Sequence, residues 1–537
     1  MARTPLLRAF QRLAEEHRAA DRLGIPAEEL PGYSRRELLK RAGVTSAAIA
    51  VAGPAMLSQR ANAATAPRIA IVGGGIAGLN AALTLADKGY ASTVYEASTR
   101  VGGRMHSDAS GYWANGQVSE FCGELIDTGH MTIRHLAQRF GLPTVDLLGA
   151  EPNGTEDTYW FLGGYYPKTQ ADKDFQPIHK TLHGQVQATS YPTTYKTHTD
   201  AGVFFDEMSV YDWIENYVPG GHGSKMGLLL DAAYNIEYGA ETTDQAALNL
   251  MYLLGYSASP GNFLIYGASD ERFHIEGGNE RLPKAIADYL REGLGDQSIK
   301  LGWAMQSIRK TGTGSISMTF STPGATQTVI ADRVILTLPF TVLRTLDYAG
   351  AGFDPLKKTA ITELGGGRNA KLQLQFNSRY WNAKGSNGNV YTDLGVQSGW
   401  DVTRGQSGAT GIFVDYSGGN IAGSFKPSTP YSNAETNQQV ATYAKQMLRQ
   451  IEPVFRGITA QWNGRASLSA PFLDPNLRLA YSYWRVGQYT GFSGYEGVAQ
   501  GTIHFAGEHC SQDFQGYMEG GAAEGARAAA DVLAALK

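Results

Sequence analysis

Arg68–Gly78 reads RIAIVGGGIAG: an apolar run, then Gly73-x-Gly75-x-x-Gly78, then a helical stretch, Leu79–Lys88. Strand, glycine turn and helix in that order form the phosphate-binding turn of a dinucleotide fold. Gly73 permits the tight turn, Gly75 lets backbone approach a pyrophosphate, and Gly78 lets helix and strand pack closely. The helix N-terminus then offers unpaired N–H groups to phosphate. A second apolar run, Ser92–Tyr95, ends at Glu96, 18 residues after Gly78, where a carboxylate can accept from ribose hydroxyls. The chain has 65 glycines, so the motif decides little without its flanks. The alternative is an ordinary glycine-rich turn between strand and helix.

A chain of 537 residues is too long for one simple core, so at least two domains are expected. The composition is globular, 42% hydrophobic and 10% aromatic, with a net charge of −4. No long basic block lies outside the N-terminal region, which argues against a nucleic-acid partner. Residues 1–63 read as a twin-arginine signal region. Ser34-Arg35-Arg36-Glu37-Leu38-Leu39-Lys40 carries the arginine pair. Val44–Leu57 is too short and Ala-rich to span a bilayer, and Ala61-Asn62-Ala63 supplies a cleavage site. The expectation is a periplasmic or secreted protein with no membrane anchor after processing. Export of this kind carries folded, cofactor-loaded proteins. The two cysteines, Cys122 and Cys510, give no reason to assume a disulfide. No internal repeat is visible.

After Glu96 comes Ala97–Arg104, ASTRVGGR. A fold for NAD needs no second glycine pair followed by arginine there, whereas a longer cofactor continuing past the pyrophosphate does. Three later segments belong with it: Phe273–Pro283 (FHIEGGNERLP), Ala331–Leu343 (ADRVILTLPFTVL) and His504–Ala528 (HFAGEHCSQDFQGYMEGGAAEGARA). In that order they resemble the flavin amine oxidase superfamily of monoamine, polyamine and L-amino acid oxidases. The resemblance covers about residues 68 to 530 and implies FAD. It also implies cofactor contacts at Gly73, Gly75, Gly78 and Glu96, at Arg104 beside phosphate or flavin, and at Gly507 and Glu508 near the ribityl or pyrophosphate. Tyr517 and Met518 would lie at the flavin, where a helix from Met518 to Ala523 presents its N-terminus to the ring. Ala331–Leu343 is expected as a buried strand near the adenosine half. Some relatives attach FAD through a cysteine just before an active-site tyrosine. The matching position is Ala480, so non-covalent FAD is expected.

The fold class implied is mixed α/β, with a discontinuous Rossmann-like FAD domain and an inserted substrate domain containing a sheet and a helical part. The FAD domain is expected at 67–125, 265–350 and 455–537, and the substrate domain at 126–264 and 351–454. Helices are expected at Thr132–Phe140, Val210–Tyr217, Ser224–Tyr234, Gln245–Tyr252 and Ala434–Ile451, and a strand at Lys371–Phe376. Gly154–Ala201 reads as a polar, Pro-punctuated stretch, a substrate-facing loop.

No Ser/His/Asp or Cys/His set is convincing, which suits redox chemistry done by a cofactor. In KLQLQF, Lys371, Gln373 and Gln375 share one strand face; pattern alone suggests a solvated face. The resemblance instead implies that Lys371 holds a water at flavin N5. It likewise implies that Tyr481 and Tyr517 flank the substrate amine with two aromatic faces, and that Trp400 contacts a substrate carboxylate. The chain departs from the L-amino acid oxidases at the carboxylate-clamping arginine, whose position falls at about Ile126 in FCGELIDTGH. Arg485 and Arg272 are the substitutes considered, and Glu124 is either an attractor for a substrate ammonium or a hydrogen-bonded domain acid. The leading expectation is oxidative deamination of L-amino acids by hydride transfer to flavin N5, releasing a 2-oxo acid, ammonia and hydrogen peroxide. The alternatives are a monoamine or polyamine oxidase and, from another class, a non-catalytic flavoprotein. The expected partners are a small amino acid or amine and dioxygen. No metal is expected, and a dimer is the expected assembly.

Overall fold

Ile69–Val72 sits in the middle of a five-stranded parallel sheet, as its four buried apolar residues require. Its neighbours in order are Ile503–Phe505, Arg333–Leu336, Ile69–Val72, Thr93–Glu96 and Ile299–Leu301. Strands more than 400 residues apart in the chain thus make one sheet, and the dinucleotide fold is discontinuous. The chain is described by a computed structural model at residues 67–189, 191–257 and 259–536. The twin-arginine motif and cleavage site lie outside these residues.

The helix after the glycine turn runs Ile76–Ala86 and is buried along nearly its whole length. It packs against the C-terminal helix Met518–Ala534. The approach is so close that a Cβ on Gly525 would lie 2.1 Å from the Ala77 carbonyl oxygen. A second, three-stranded antiparallel sheet, Ala304–Lys310, Ile316–Thr322 and Ala325–Ala331, extends this half. Ala331–Leu343 is not one strand: it holds the end of that sheet, the short parallel strand Arg333–Leu336 and the helical turn Phe340–Leu343. Pro339 closes the strand because it cannot donate to a ladder.

The inserted half is built on an eight-stranded sheet in which Asn369–Phe376 is an inner strand, third from one edge. Leu372, Leu374 and Phe376 pack against Val440, Ala444, Met447 and Ile451 of the helix Gln438–Ile451. Trp462–Ser469 pairs with Asn369–Phe376, although it falls in the range 455–537 expected for the cofactor domain. This strand is therefore part of the large sheet.

The helical part contains Val210–Tyr217, with the expected bounds, capped by Ser209 Oγ accepting from Asp212 N at 3.0 Å. Lys225–Tyr238 and Ala247–Leu254 lie beside it. Gly154–Ala201 is not a loop. It contains the strands Glu156–Phe161 and Gly164–Tyr165 and the 22-residue helix Lys168–Thr189. Ala171, Phe175, Ile178 and Leu182 bury one stripe of that helix, and this burial outweighs the cost of about 3 kcal/mol for Pro177 in its interior. Among the described residues no helix is long and apolar enough to cross a membrane.

Candidate active site

A cavity of about 430 Å³ runs from the glycine turn to the large sheet. Gly73 has φ +112°, and a Cβ there would lie 2.3 Å from Thr337 Oγ1. At Gly78 a Cβ would meet the Gly73 carbonyl oxygen at 2.0 Å, so strand and helix close only on glycine. Gly75 faces the cavity and begins the helix without a side-chain cap. The N–H groups of Ile76, Ala77 and Gly78 consequently have no partner among the described residues, which is the donor set an anion takes at a helix N-terminus. Glu96 lines the same cavity, with Oε2 accepting from Gly74 N at 2.6 Å and Oε1 from Ser98 N at 2.8 Å.

Arg104 also reaches the cavity, where its Nη1 donates to Glu508 Oε1 at 2.8 Å and to the Ala480 carbonyl at 3.0 Å. Glu508 further accepts from Ser482 Oγ at 3.0 Å and Gly516 N at 2.9 Å. Burial pushes this carboxyl up, but Arg104 and the Gly516 N–H outweigh it and hold it below its ordinary range. Gly507, at φ +128°, turns the chain into this segment. Met518 opens the helix Met518–Ala534, with Tyr517 at its N-cap and both residues on the cavity wall. Both cysteines are free, and Ala480 precedes Tyr481.

Lys371 is buried, not solvated. The polar face of its strand lies on the segment from Ala114 to Glu124: Gln375 donates to Gln117 Oε1 at 2.8 Å and Gln373 to the Glu120 carbonyl at 2.9 Å. Lys371 Nζ donates to Glu124 Oε2 at 2.6 Å and to the Cys122 carbonyl at 2.7 Å. The third ammonium hydrogen has no hydrogen-bond acceptor among the described residues, and the Nζ lies 5.4 Å from the centroid of the Trp400 ring beside the cavity. Trp400 Nε1 donates to the other oxygen, Glu124 Oε1, at 2.9 Å. Its one donor is committed, so Trp400 presents a ring to the cavity and no N–H to a carboxylate. Glu124 is the shared acceptor of this triad rather than a free acid.

Tyr481 and Tyr517 line the cavity together. Tyr481 Oη donates to the Ile236 carbonyl at 2.7 Å and lies 2.8 Å from Tyr416 Oη, while Tyr517 Oη donates to Glu237 Oε1 at 3.1 Å. Burial pushes both phenols well above their ordinary range, so they stay neutral and offer ring faces. Sequence reading missed Tyr416, Glu237, Glu271 and Arg404, all on the cavity wall. Arg404 is buried; it donates to Glu151 Oε1 at 2.7 Å, to Asn389 Oδ1 at 2.5 Å and to the Asp401 carbonyl at 3.4 Å. Two of its five N–H groups are left without a partner among the described residues.

The substitutes considered for the missing arginine lie elsewhere. Arg272 is bound to Asp146 by three hydrogen bonds of 2.6–3.1 Å, and Arg485 pairs with Asp244 at 3.4 Å. Neither lines the cavity. Ile126 is fully buried and bridges Phe273, so it too points away from the cavity.

The family model for flavin containing amine oxidoreductases matches residues 76–533. The L-amino-acid oxidase of Naja atra is 23% identical over 492 residues, covering 86% of this chain and 87% of that protein. Polyamine oxidase 4 of Oryza sativa subsp. japonica is 23% identical over 479 residues, covering 87% and 88%. The match to the L-amino-acid oxidase of Siganus canaliculatus is 24% identical and spans 60% of this chain but only 59% of that protein. Among solved structures, a putrescine oxidase mutant superposes with a TM-score of 0.73 at 17% identity, over 87% of this chain and 99% of the other. Cyclohexylamine oxidase from Brevibacterium oxydans gives 0.71 at 18% identity, over 88% and 99%. The open glycine turn, the uncapped helix and the cavity that runs past them fit FAD, and with a match across most of its length the chain belongs to the family of flavin containing amine oxidoreductases.

Proposed function

We propose that this protein oxidises L-amino acids to 2-oxo acids with release of ammonia and hydrogen peroxide. The observation that carries the reading is Arg404, a guanidinium with two unused N–H groups in the wall of the cavity that also holds Lys371, Tyr481 and Tyr517. Arginine is suited to a carboxylate because its planar fork can bind both oxygens. FAD, when bound, supplies the acceptor for the hydride that leaves the substrate carbon. The two tyrosine rings bracket a neutral amine, and their committed hydroxyls keep them from rotating. Lys371, fixed by Glu124 and the Cys122 carbonyl, keeps one N–H for a water at the reacting end of the cavity. The amino-acid imine is then hydrolysed by water, and dioxygen takes up the electrons as peroxide.

A second reading, oxidation of amines without a carboxylate, is favoured by the acids of the wall, Glu237 and Glu271. Product analysis separates the two: an L-amino acid oxidase yields one 2-oxo acid and one ammonia per peroxide, and an amine oxidase yields an aldehyde. We further propose export by the twin-arginine route, on the strength of Arg35 and Arg36 and the Ala61-Asn62-Ala63 site.

A further inference from the structure

Two acids of the cavity wall have no structural task. Glu271 has a backbone φ of +45°, a conformation a non-glycine residue adopts only when its surroundings impose it. What imposes it is visible. The Glu271 N–H donates to Asp127 Oδ1 at 2.9 Å, and the flanking chain is clamped by Ile126 N to the Phe273 carbonyl at 2.7 Å and by Phe273 N to the Ile126 carbonyl at 2.8 Å. This clamp directs the Glu271 carboxyl to the cavity, where it accepts no hydrogen bond and no ion pair among the described residues. Glu237, at the end of the helix Lys225–Tyr238, has one hydrogen-bond partner among the described residues, Tyr517 Oη at 3.1 Å. Buried carboxyls with structural roles are saturated with donors, as Glu508 is here. These two are left open.

The neighbouring charges are already balanced. Lys371 is paired with Glu124, and Arg404 with Glu151 at 2.7 Å. Burial, followed by the charges of Glu237 and Asp127, pushes Glu271 well above its ordinary range; burial, against the Tyr517 hydrogen bond and with the charge of Asp127, pushes Glu237 up to about 8. Among the described residues no cation is paired with either Glu237 or Glu271. Tyr266 and Tyr391 line the same cavity and present rings that suit an organic cation.

We propose that Glu237 and Glu271 receive a second cationic group of the substrate, a side-chain ammonium or guanidinium, while the reacting amine lies between Tyr481 and Tyr517. The inference rests on the reading that this cavity is the amine-oxidising site. It makes the substrate a compound with two basic nitrogens: with the carboxylate at Arg404, a basic L-amino acid.

Four compounds separate the two readings when oxidised by the FAD-loaded protein: L-lysine, L-norleucine, 1,5-diaminopentane and 1-aminopentane. Comparing acids with amines tests the carboxylate, and comparing presence with absence of the distal ammonium tests the two glutamates. The expected result is a kcat/KM for L-lysine at least about tenfold above that for L-norleucine. In Glu271→Gln and in Glu237→Gln that ratio should fall towards one, through KM for L-lysine more than through kcat. A preference for 1,5-diaminopentane over 1-aminopentane, with neither acid reacting, supports the cation site while sinking the L-amino acid reading. Equal kcat/KM for L-lysine and L-norleucine in the unaltered protein overturns the proposal even if neither variant folds. So does a ratio preserved in both variants, or no reaction with any of the four.

Discussion

Lys371 Nζ lies 2.6 Å from Glu124 Oε2, and this contact joins an inner strand of the large sheet to the segment that follows the cofactor motif. The two residues are 247 positions apart. Both are buried, so the pair is not a screened surface bridge, and breaking it leaves a charge in an enclosed site. Removing the lysine should therefore affect folding and chemistry separately. Lys371→Met should destabilise the protein by about 3–5 kcal/mol and lower kcat by about a hundredfold or more. In the double variant Lys371→Met, Glu124→Leu the stability should largely return and the activity should not. Thermal unfolding and steady-state kinetics on the same samples check this; recovery of activity with stability would show the lysine to be structural.

The glycine turn predicts loss of cofactor before loss of fold. Gly75→Val directs a branched side chain into the space beside Gly103, whose Cα lies 3.9 Å from where a Cβ on residue 75 would stand, without the close contact that Gly78 would suffer. The variant should purify folded with flavin content reduced at least about tenfold, read from the ratio of flavin to protein absorbance. Full flavin content in that variant would place the pyrophosphate elsewhere.

Arg404→Leu tests the carboxylate. It removes the guanidinium next to Asn389 and leaves Glu151 on the more exposed side of the pair. The KM for an L-amino acid should rise by about tenfold to a hundredfold, and the KM for the amine lacking the carboxylate should rise much less. Equal effects on both would mean that Arg404 only holds the wall in shape.

Two buried histidines, His130 and His509, and the half-buried His106 set the acid limit of stability. Burial lowers His106 to about 3, and His130 and His509 to about 4. Each is neutral in the fold and takes up a proton near pH 6.5 once unfolded. Their contribution to stability is therefore present above about pH 6.5 and is lost as pH falls towards about 4. The Tm should drop across that window, and His509→Gln should flatten the slope. Its imidazole nitrogens have no partner among the described residues, so the substitution need not break a hydrogen bond. An unchanged slope would assign the acid sensitivity to other groups.

What was legible in the sequence follows from how local the cause is. Gly73, Gly75 and Gly78 announce the turn because their reasons lie within a few residues. Val210–Tyr217 is found to the residue because Ser209 caps it and its apolar positions repeat at helical spacing. Lys168–Thr189 was hidden by Pro177 and by a mostly polar surface, although Ala171, Phe175, Ile178 and Leu182 carry the signal. Lys371 was found through resemblance, because its pattern alone reads as a solvated face; the burial comes from the segment Ala114–Glu124 laid across it. Glu237 with Tyr517, and Glu271 and Arg404 on one cavity wall, were not legible. Each pair joins distant parts of the chain, and no spacing rule connects them.

The most direct test of the account follows the flavin absorbance band without oxygen while the protein is mixed first with an L-amino acid and then, in a fresh sample, with the amine that lacks its carboxylate. The account predicts rapid bleaching by the L-amino acid, much slower bleaching by the amine, and peroxide when air is admitted. Bleaching by the amine alone would contradict it and make the absence of an arginine at Ile126 the decisive feature of the site.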